Sequence, residues 1–258
     1  METPSRYCEF RFYEELNDFL PPERRKQSFI HCFTGTPSVK DQIQALGVPH
    51  TEVDLILVNG ASVSFGHRLR GGERVAVYPM FERFDIGGLT RLRARPLRAP
   101  RFVLDVHLGK LARYLRFLGF DTRYRNDYHD VEIVRIARAE RRIVLTRDLG
   151  ILKHNAVTHG AFLHATNPRQ QLAEVLTRFD LWRQVRMFSR CSHCNGLIVR
   201  TRRTELAEHL PGAILERYRA FYRCADCGQV YWEGSHYDRM NQWVQELRAA
   251  RSAAASGD

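Results

Sequence analysis

Apolar and polar positions alternate near the start of the chain, where Cys8, Phe10 and Phe12 share one face of a predicted strand. A helix of about three turns is predicted after Pro37, which follows a candidate N-cap at Thr36. Three more strands are predicted by the apolar runs at residues 29–33, 55–58 and 74–78. The order ββαββ predicts a β-grasp domain over residues 1–89.

From Phe102 onward the pattern changes to short apolar runs that alternate with amphipathic segments. Residues 102–104 predict a buried strand, and the helix after it ends at a C-terminal glycine, Gly119. The alternation continues with three strands and two helices: strands near 121–124, 143–145 and 162–164, a helix from Asp130 and a helix opened by Asn167. This order predicts a parallel-sheet α/β domain over residues 102–182.

Residues 6–80 resemble the ubiquitin-like sulfur carriers of thiamine and molybdopterin synthesis. The segment Gly71-Gly72-Glu73 with the strand after it looks like their last turn and strand. Those carriers act through a free C-terminal Gly-Gly, whereas Gly87-Gly88 is followed here by 170 further residues. The resemblance therefore implies a ubiquitin-like domain that binds a protein partner or acts as a scaffold, because sulfur transfer would require cleavage of the chain.

The formal net charge of the chain is +11, and the whole excess of positive charge lies in the second part of the chain. Residues 1–89 carry 10 Lys and Arg against 12 Asp and Glu, whereas residues 90–258 carry 30 against 17. Such a basic segment favours a polyanionic partner. Residues 90–101 contain five Arg and two Pro without periodicity, which predicts an exposed linker.

No apolar run approaches the roughly 18 residues that a membrane span requires, and the first thirty residues show no apolar signal segment. We therefore expect a cytoplasmic protein with no membrane partner. Six cysteines are too few for a disulfide scaffold in a chain of 258 residues. Cys8 and Cys32 lie on strand patterns and are predicted to be core thiols, and residues 252–258 are predicted to be a disordered tail.

The four remaining cysteines form two pairs with metal-ligand spacing, Cys191 with Cys194 and Cys224 with Cys227, separated by 29 residues. Each pair is followed closely by a glycine and an apolar stretch, which suits tight turns around thiolates. Four thiolates predict a structural Zn²⁺ without an open coordination position. Residues 183–251 are therefore predicted to be a zinc ribbon followed by a C-terminal helix.

Aspartates follow two of the strands predicted for the α/β domain. Asp105 and Asp148 would both lie at the carboxyl edge of the parallel sheet, where ligands gather in open α/β folds. Asp130 opens the helix after the second strand, has Asp127 nearby, and can reach the same edge. Carboxylates brought together repel each other, and this repulsion is usually neutralised by a bound Mg²⁺ or Mn²⁺.

Each of these aspartates also has an ordinary structural interpretation. Asp130 could cap its helix, Asp148 could cap a following turn, and Asp105 could pair with Arg147 or Lys110. Their joint position at strand ends favours the metal site, because helix caps need not follow strands.

Residues 102 to about 180 resemble the PIN-like ribonuclease domain of the Mut-7 C-terminal family. Four segments carry the resemblance: Leu104-Asp105, the run LGKLARYLR over residues 108–116, the run GFDT over residues 119–122, and the run LTRD over residues 145–148. The resemblance continues through the cysteine segment to the GSHY sequence at residues 234–237, and therefore covers about 150 residues. Members of the family also occur with a ubiquitin-like domain in front.

The resemblance implies metal-dependent RNA hydrolysis with Asp105, Asp130 and Asp148 as metal-binding acids. Asp127 matches the acidic pattern less well, and the choice between Asp127 and Asp130 stays open. A divalent metal held by such acids lowers the pKa of a bound water and neutralises charge on the scissile phosphate.

Several basic side chains are candidates to hold the phosphates of RNA. Lys110, Arg113 and Arg147 are close in sequence to the acids, although Lys110 and Arg113 could simply lie on a solvated helix surface. His236 follows the cysteine segment and is a further candidate, with a structural role as its alternative.

The sequence thus predicts a metal-dependent ribonuclease in which a zinc ribbon helps to hold RNA, with tRNA or another structured RNA as the substrate class. One rival is a catalytically silent RNA-binding adaptor that uses the same basic surface. The other is a module derived from sulfur carriers that acts in cofactor or tRNA modification.

Overall fold

The computed structural model describes residues 5–79, 100–208 and 210–255. The chain divides into two compact units, and each unit combines two stretches of sequence. Unit 1 consists of residues 1–105 and 127–163, and unit 2 consists of residues 106–126 and 164–258. The predicted boundaries at residues 89 and 102 stay predictions, because the units group residues by their contacts rather than by continuous stretches.

The N-terminal part of unit 1 is a mixed five-stranded sheet with one helix. Its elements are β1 (Ser5–Phe12), β2 (Phe29–Thr34), α1 (Val39–Ala45), β3 (Val53–Val58), β4 (Ala61–Ser62) and β5 (Arg74–Pro79). The strand order is β2-β1-β5-β3-β4, in which β1 and β5 pair in parallel and the other neighbours are antiparallel. This topology confirms the predicted β-grasp and adds the short strand β4.

The core of this sheet follows the predicted alternation, because Cys8 and Phe10 are completely buried. Cys32 is not a core thiol as predicted but is exposed. Its register partner is Tyr7, which is also exposed, so both side chains lie on the outward face of the sheet.

Helix α1 begins later than predicted and has only seven residues. Its N-cap is Ser38 rather than Thr36. The hydroxyl of Ser38 accepts a hydrogen bond from the Asp41 N–H at 3.2 Å, and the Asp41 carboxylate accepts one from the Ser38 N–H at 3.3 Å. This reciprocal capping box satisfies two backbone donors at once, which a cap at Thr36 could not do with the same partner.

The following part of the chain alternates strands and helices as predicted. In order these are β6 (Phe102–Leu104), α2 (Gly109–Phe117), β7 (Thr122–Arg123), α3 (Asp130–Glu140), β8 (Ile143–Thr146), α4 (Leu149–Lys153), β9 (Gly160–Phe162) and α5 (Pro168–Arg178). α2, β7 and α5 belong to unit 2 and the others to unit 1. Within unit 1, β6 pairs with β8 and β8 pairs with β9, both in parallel. The carboxyl ends of these strands therefore meet at one edge.

Within unit 1 the β-grasp part packs along β9 through a 3-10 turn at His50–Glu52. His50 Nε2 lies 2.9 Å from the carbonyl oxygen of Val157, and the Phe162 N–H donates to Glu52 Oε1 at 2.6 Å. The rings of Phe19 and Phe162 meet edge to face at 5.7 Å between centroids. All three polar residues of the turn are buried, His50 at 4% exposure and Thr51 and Glu52 at 1% each. The β-grasp part and β9 thus share a closed, hydrogen-bonded contact.

The C-terminal part of unit 2 is a small antiparallel sheet with two helices. Its elements are β10 (Ile198–Thr201), α6 (Gly212–Arg217), β11 (Phe221–Cys224), β12 (Val230–Trp232) and α7 (Ser235–Ala255). The strand order is β10-β11-β12. Helix α7 extends into the predicted tail, since residues 252–255 are helical, while residues 256–258 lie outside the described part of the chain.

Two sequence features fall on residues that the structure does not describe, namely Gly87-Gly88 and residues 90–99 of the predicted linker. Among the described residues, no helix combines the length and the apolar character that crossing a bilayer requires.

Candidate functional site

A single buried hydroxyl joins the two aspartates at the carboxyl ends of β6 and β8. Asp105 directly follows β6 and is only 5% exposed. The hydroxyl of Thr146, the last residue of β8, donates to Asp105 Oδ2 at 2.9 Å and accepts from the Asp148 N–H at 2.8 Å. Thr146 is itself completely buried. The backbone of Asp148 and the carboxylate of Asp105 are therefore held in one short hydrogen-bonded chain.

Each of these two carboxylates keeps one oxygen for an external ligand. Asp148 Oδ1 accepts from the Gly150 N–H at 2.6 Å, so Asp148 is the N-cap of α4, as its structural interpretation predicted. Asp105 Oδ1 and Asp148 Oδ2 accept no hydrogen bond from any residue that the structure describes. Free carboxylate oxygens are the donor type that Mg²⁺ and Mn²⁺ prefer, so this pair fits such an ion.

Asp127 and Asp130 are both exposed. Asp130 is the first residue of α3, but the N-cap of that helix is His129, so Asp130 does not cap it. Among the described residues, no three of the four acids Asp105, Asp127, Asp130 and Asp148 bring their ligand atoms within 4.8 Å of one another. The described geometry thus joins Asp105 to Asp148 and does not decide between Asp127 and Asp130.

The basic candidates are distributed over both units. Arg147 is exposed and lies between Thr146 and Asp148 in unit 1. Lys110 and Arg113 are exposed on α2 in unit 2. His236 belongs to the first turn of α7, and its side chain lies outside the described part of the structure.

The four predicted cysteine ligands converge on one point in unit 2. The sulfur atoms of Cys191, Cys194, Cys224 and Cys227 all lie within 4.8 Å of one another. Two pairs are closer, at 3.6 Å for Cys191 with Cys227 and 3.4 Å for Cys194 with Cys224. A tetrahedral Zn²⁺ with bonds of about 2.3 Å would hold its sulfurs about 3.8 Å apart. The cluster is therefore compatible with a zinc site.

Hydrogen bonds to the sulfur of Cys191 favour its thiolate form. Although burial acts in the opposite direction, the Tyr231 hydroxyl, 3.0 Å from Cys191 Sγ, and nearby backbone N–H groups lower the pKa of Cys191 to about 7. Burial and the neighbouring thiols raise the pKa of Cys194 to about 12. Four thiols this close do not ionise together without a cation, which again fits a metal.

Backbone geometry allows this close approach at the first cysteine turn. Gly196 follows Cys194, and a Cβ atom at this position would lie 2.9 Å from Cys224 Sγ. A side chain would therefore collide with a ligand sulfur, so the glycine at this position is a requirement of the site.

A buried arginine fastens the same turn to helix α2. Arg116 is 4% exposed and donates to the carbonyl oxygens of Thr122 at 2.9 Å, Tyr124 at 3.2 Å and His193 at 2.7 Å. Because a buried guanidinium must satisfy its donors, α2 and the first cysteine turn are held in a fixed arrangement within unit 2.

Two family models match the chain, the Mut7-C RNAse domain over residues 100–244 and the Mut7-C ubiquitin domain over residues 5–85. The chain belongs to the Mut7-C RNase family. This result confirms the resemblance identified from the LGKLARYLR and LTRD segments. No curated protein and no solved structure matches the chain. The Mut7-C RNase match includes Asp105, Asp148 and all four cysteines, so both candidate sites lie within the family domain.

Two residues of this Mut7-C RNase domain were not singled out from the sequence. Thr146 lies inside the recognised LTRD segment, and its position two residues before an aspartate at a strand end is the pattern that could have indicated it. Arg116 lies four residues after the buried Ala112 and therefore on the same helix face. A basic residue on an apolar face is the signal for a buried cation with carbonyl partners.

Proposed function

We propose that the protein is a divalent-metal-dependent ribonuclease that hydrolyses RNA phosphodiester bonds. Membership of the Mut7-C RNase family supports ribonuclease activity. The observation that carries the finer proposal is the link from Asp105 through the Thr146 hydroxyl to Asp148 at neighbouring strand ends. Such a link holds the Asp105 carboxylate and the Asp148 backbone in a defined arrangement, which a catalytic site requires and a helix cap alone does not.

Asp105 Oδ1 and Asp148 Oδ2 would hold Mg²⁺ or Mn²⁺, together with Asp127 or Asp130. When bound, this cation supplies a more acidic water and neutralises charge at the scissile phosphate. Thr146 orients the Asp105 carboxylate by donating to its other oxygen. The Gly150 N–H fixes the Asp148 carboxylate in the same way.

The basic side chains are proposed to bind the RNA rather than to react. Lys110, Arg113, Arg147 and His236 would contact phosphates, with tRNA or another structured RNA as the substrate class. The four cysteines would hold a structural Zn²⁺ that maintains the ribbon, and the ubiquitin-like domain would receive a protein partner. The proposed RNA hydrolysis and the proposed ligands are compatible with a location in the cytoplasm.

The test is cleavage of labelled RNA by the full-length protein with Mg²⁺, Mn²⁺ or EDTA. Asp105→Asn and Asp148→Asn should each lower the cleavage rate by orders of magnitude, because the charge that holds the cation is removed. RNA affinity should be retained, since the basic surface is unchanged. Asp18→Asn, an exposed aspartate of the β-grasp part, is the matched control and should cleave normally.

The proposal would be refuted if the protein binds RNA but does not cleave it, whichever divalent metal is added. That result would favour the RNA-binding adaptor instead.

A further inference from the structure

Unit 2 contains a cavity of about 510 Å³ between α2, the first cysteine turn, β12 and α7. Its size is within the range of about 300–1,000 Å³ that small-molecule sites occupy. Every residue that lines it belongs to unit 2. The aspartates Asp105 and Asp148 belong to unit 1 and do not line this cavity.

Two cations and no carboxylate line this cavity. Lys110 and Arg113 are three residues apart on α2 and therefore on one face of the helix. In the part of the chain that the structure describes, neither side chain forms a hydrogen bond or an ion pair. Their charges are available to an external group, and that group should be anionic.

The remainder of the lining combines aromatic and apolar side chains with the polar residues Ser192, His193 and Gln229. Tyr114 and Phe117 come from α2, Tyr231 from β12 and Met240 from α7. Aromatic and thioether surfaces favour a flat ring, because both pack well against π faces.

These walls are held in place before any ligand arrives. The Tyr231 hydroxyl accepts from the Ser192 N–H at 3.1 Å, and Phe117 packs edge to face on Phe188 at 5.3 Å. Tyr114 contacts Trp243 of α7, with 5.6 Å between ring centroids. A preformed cavity does not need to be ordered on binding, which favours affinity.

We propose that this cavity binds one unpaired nucleotide of the RNA, with the base against Tyr114 and Tyr231 and a phosphate at Lys110 and Arg113. The inference rests on the proposed function for its choice of RNA. A flat ring joined to an anionic group is the chemistry that the lining recognises, and a base inside a duplex is stacked and cannot enter. The site should therefore select single-stranded or looped RNA.

The base is tested with Tyr114→Ala and the matched variant Tyr114→Phe, which keeps the ring. Binding of a ten-nucleotide single-stranded RNA to the full-length protein is measured by fluorescence anisotropy without added Mg²⁺ or Mn²⁺. Loss of one stacked base should weaken binding by about 5- to 150-fold for the alanine variant, and the phenylalanine variant should bind like the wild type. A fully paired RNA should show no difference between the two variants.

The phosphate is tested through the salt dependence of the same binding. Each lost phosphate contact should reduce the slope of log affinity against log salt by about 0.7 for single-stranded RNA. Lys110→Gln combined with Arg113→Gln removes both cations from the one proposed phosphate and should therefore reduce the slope by about 0.7. Arg138→Gln, an exposed arginine on α3, is the matched control and should leave the slope unchanged.

The outcomes separate this inference from the proposed function. Cleavage that depends on Asp105, combined with RNA binding that ignores Tyr114, Lys110 and Arg113, overturns the cavity and leaves the nuclease intact. Binding that follows Tyr114 without any cleavage supports the cavity and refutes the nuclease. Free uridine or adenosine monophosphate that binds as tightly as the ten-nucleotide RNA would overturn the assignment to RNA and make the cavity a small-molecule site.

Discussion

Thr146→Val removes the hydroxyl between Asp105 and Asp148 while keeping nearly the same side-chain shape. The variant takes away the donor to Asp105 Oδ2 and the acceptor for the Asp148 N–H. Thr146 is completely buried, so water cannot replace either interaction without a rearrangement. The substitution therefore tests the hydroxyl itself with little change in packing.

The hydrogen bond to the ionised carboxylate is worth about 1.5–3 kcal/mol, and leaving the N–H without a partner costs about 1–3 kcal/mol. Since the two effects share one group and overlap, we expect the free energy of unfolding to fall by about 2–4 kcal/mol. Loss of a residue that orients a metal ligand typically lowers metal affinity or activity by about 10- to 100-fold. We expect a reduction of that size in the cleavage rate at limiting Mn²⁺.

The assay is RNA cleavage by the full-length protein over a range of Mn²⁺ concentrations, together with unfolding in urea. Thr146→Ser is the matched control, because it keeps the hydroxyl and loses only a methyl group. Its cleavage rate and its Mn²⁺ requirement should stay close to those of the wild type.

Two results would count against this reasoning. Wild-type cleavage and an unchanged Mn²⁺ requirement in Thr146→Val would show that the hydroxyl does not position the aspartates for catalysis. Equal losses in the serine variant, which keeps the hydroxyl, and in the valine variant, which keeps the methyl group, would show that any change at this buried position disturbs the site and would refute a specific role of the hydroxyl.

Three further predictions concern the ribbon and the β-grasp part. Cys227→Ala should abolish the binding of about one Zn per chain and unfold β10–β12, because structural zinc contributes roughly 10–16 kcal/mol to folding. Elemental analysis would show the loss of Zn, and circular dichroism would show the unfolding. Burial opposes ionisation of Glu73, but hydrogen bonds, including one from the Cys8 thiol, lower its pKa below the usual value of a glutamate. Glu73→Gln should thus melt lower than the wild type at pH 7, and the difference should disappear as the pH falls through the lowered pKa. Glu52→Ala, but not Glu52→Gln, should accelerate hydrogen exchange of the Phe162 amide.

Local patterns in the sequence predicted most of the elements, because periodicity and caps act over a few residues. Two CxxC pairs predicted the cysteine cluster for the same reason, since each pair fixes its own turn. The burial of His50–Glu52 could not be predicted, because a polar turn is buried only when a distant strand covers it. The role of Thr146 depends likewise on the pairing of β6 with β8, which brings together residues about 40 positions apart.

The contact between Glu52 and β9 has a consequence for how the edge of this sheet is protected from further strand pairing. A strand at the end of a sheet offers its outward backbone groups to any extended chain and so invites self-association. The amide of Phe162 is instead taken by a carboxylate that lies 110 residues earlier in the chain. A carboxylate accepts but does not donate, so it ends the ladder and cannot seed another strand. A nuclease segment produced without its β-grasp part would expose β9 and should aggregate. The β-grasp part therefore protects the edge of the parallel sheet from self-association.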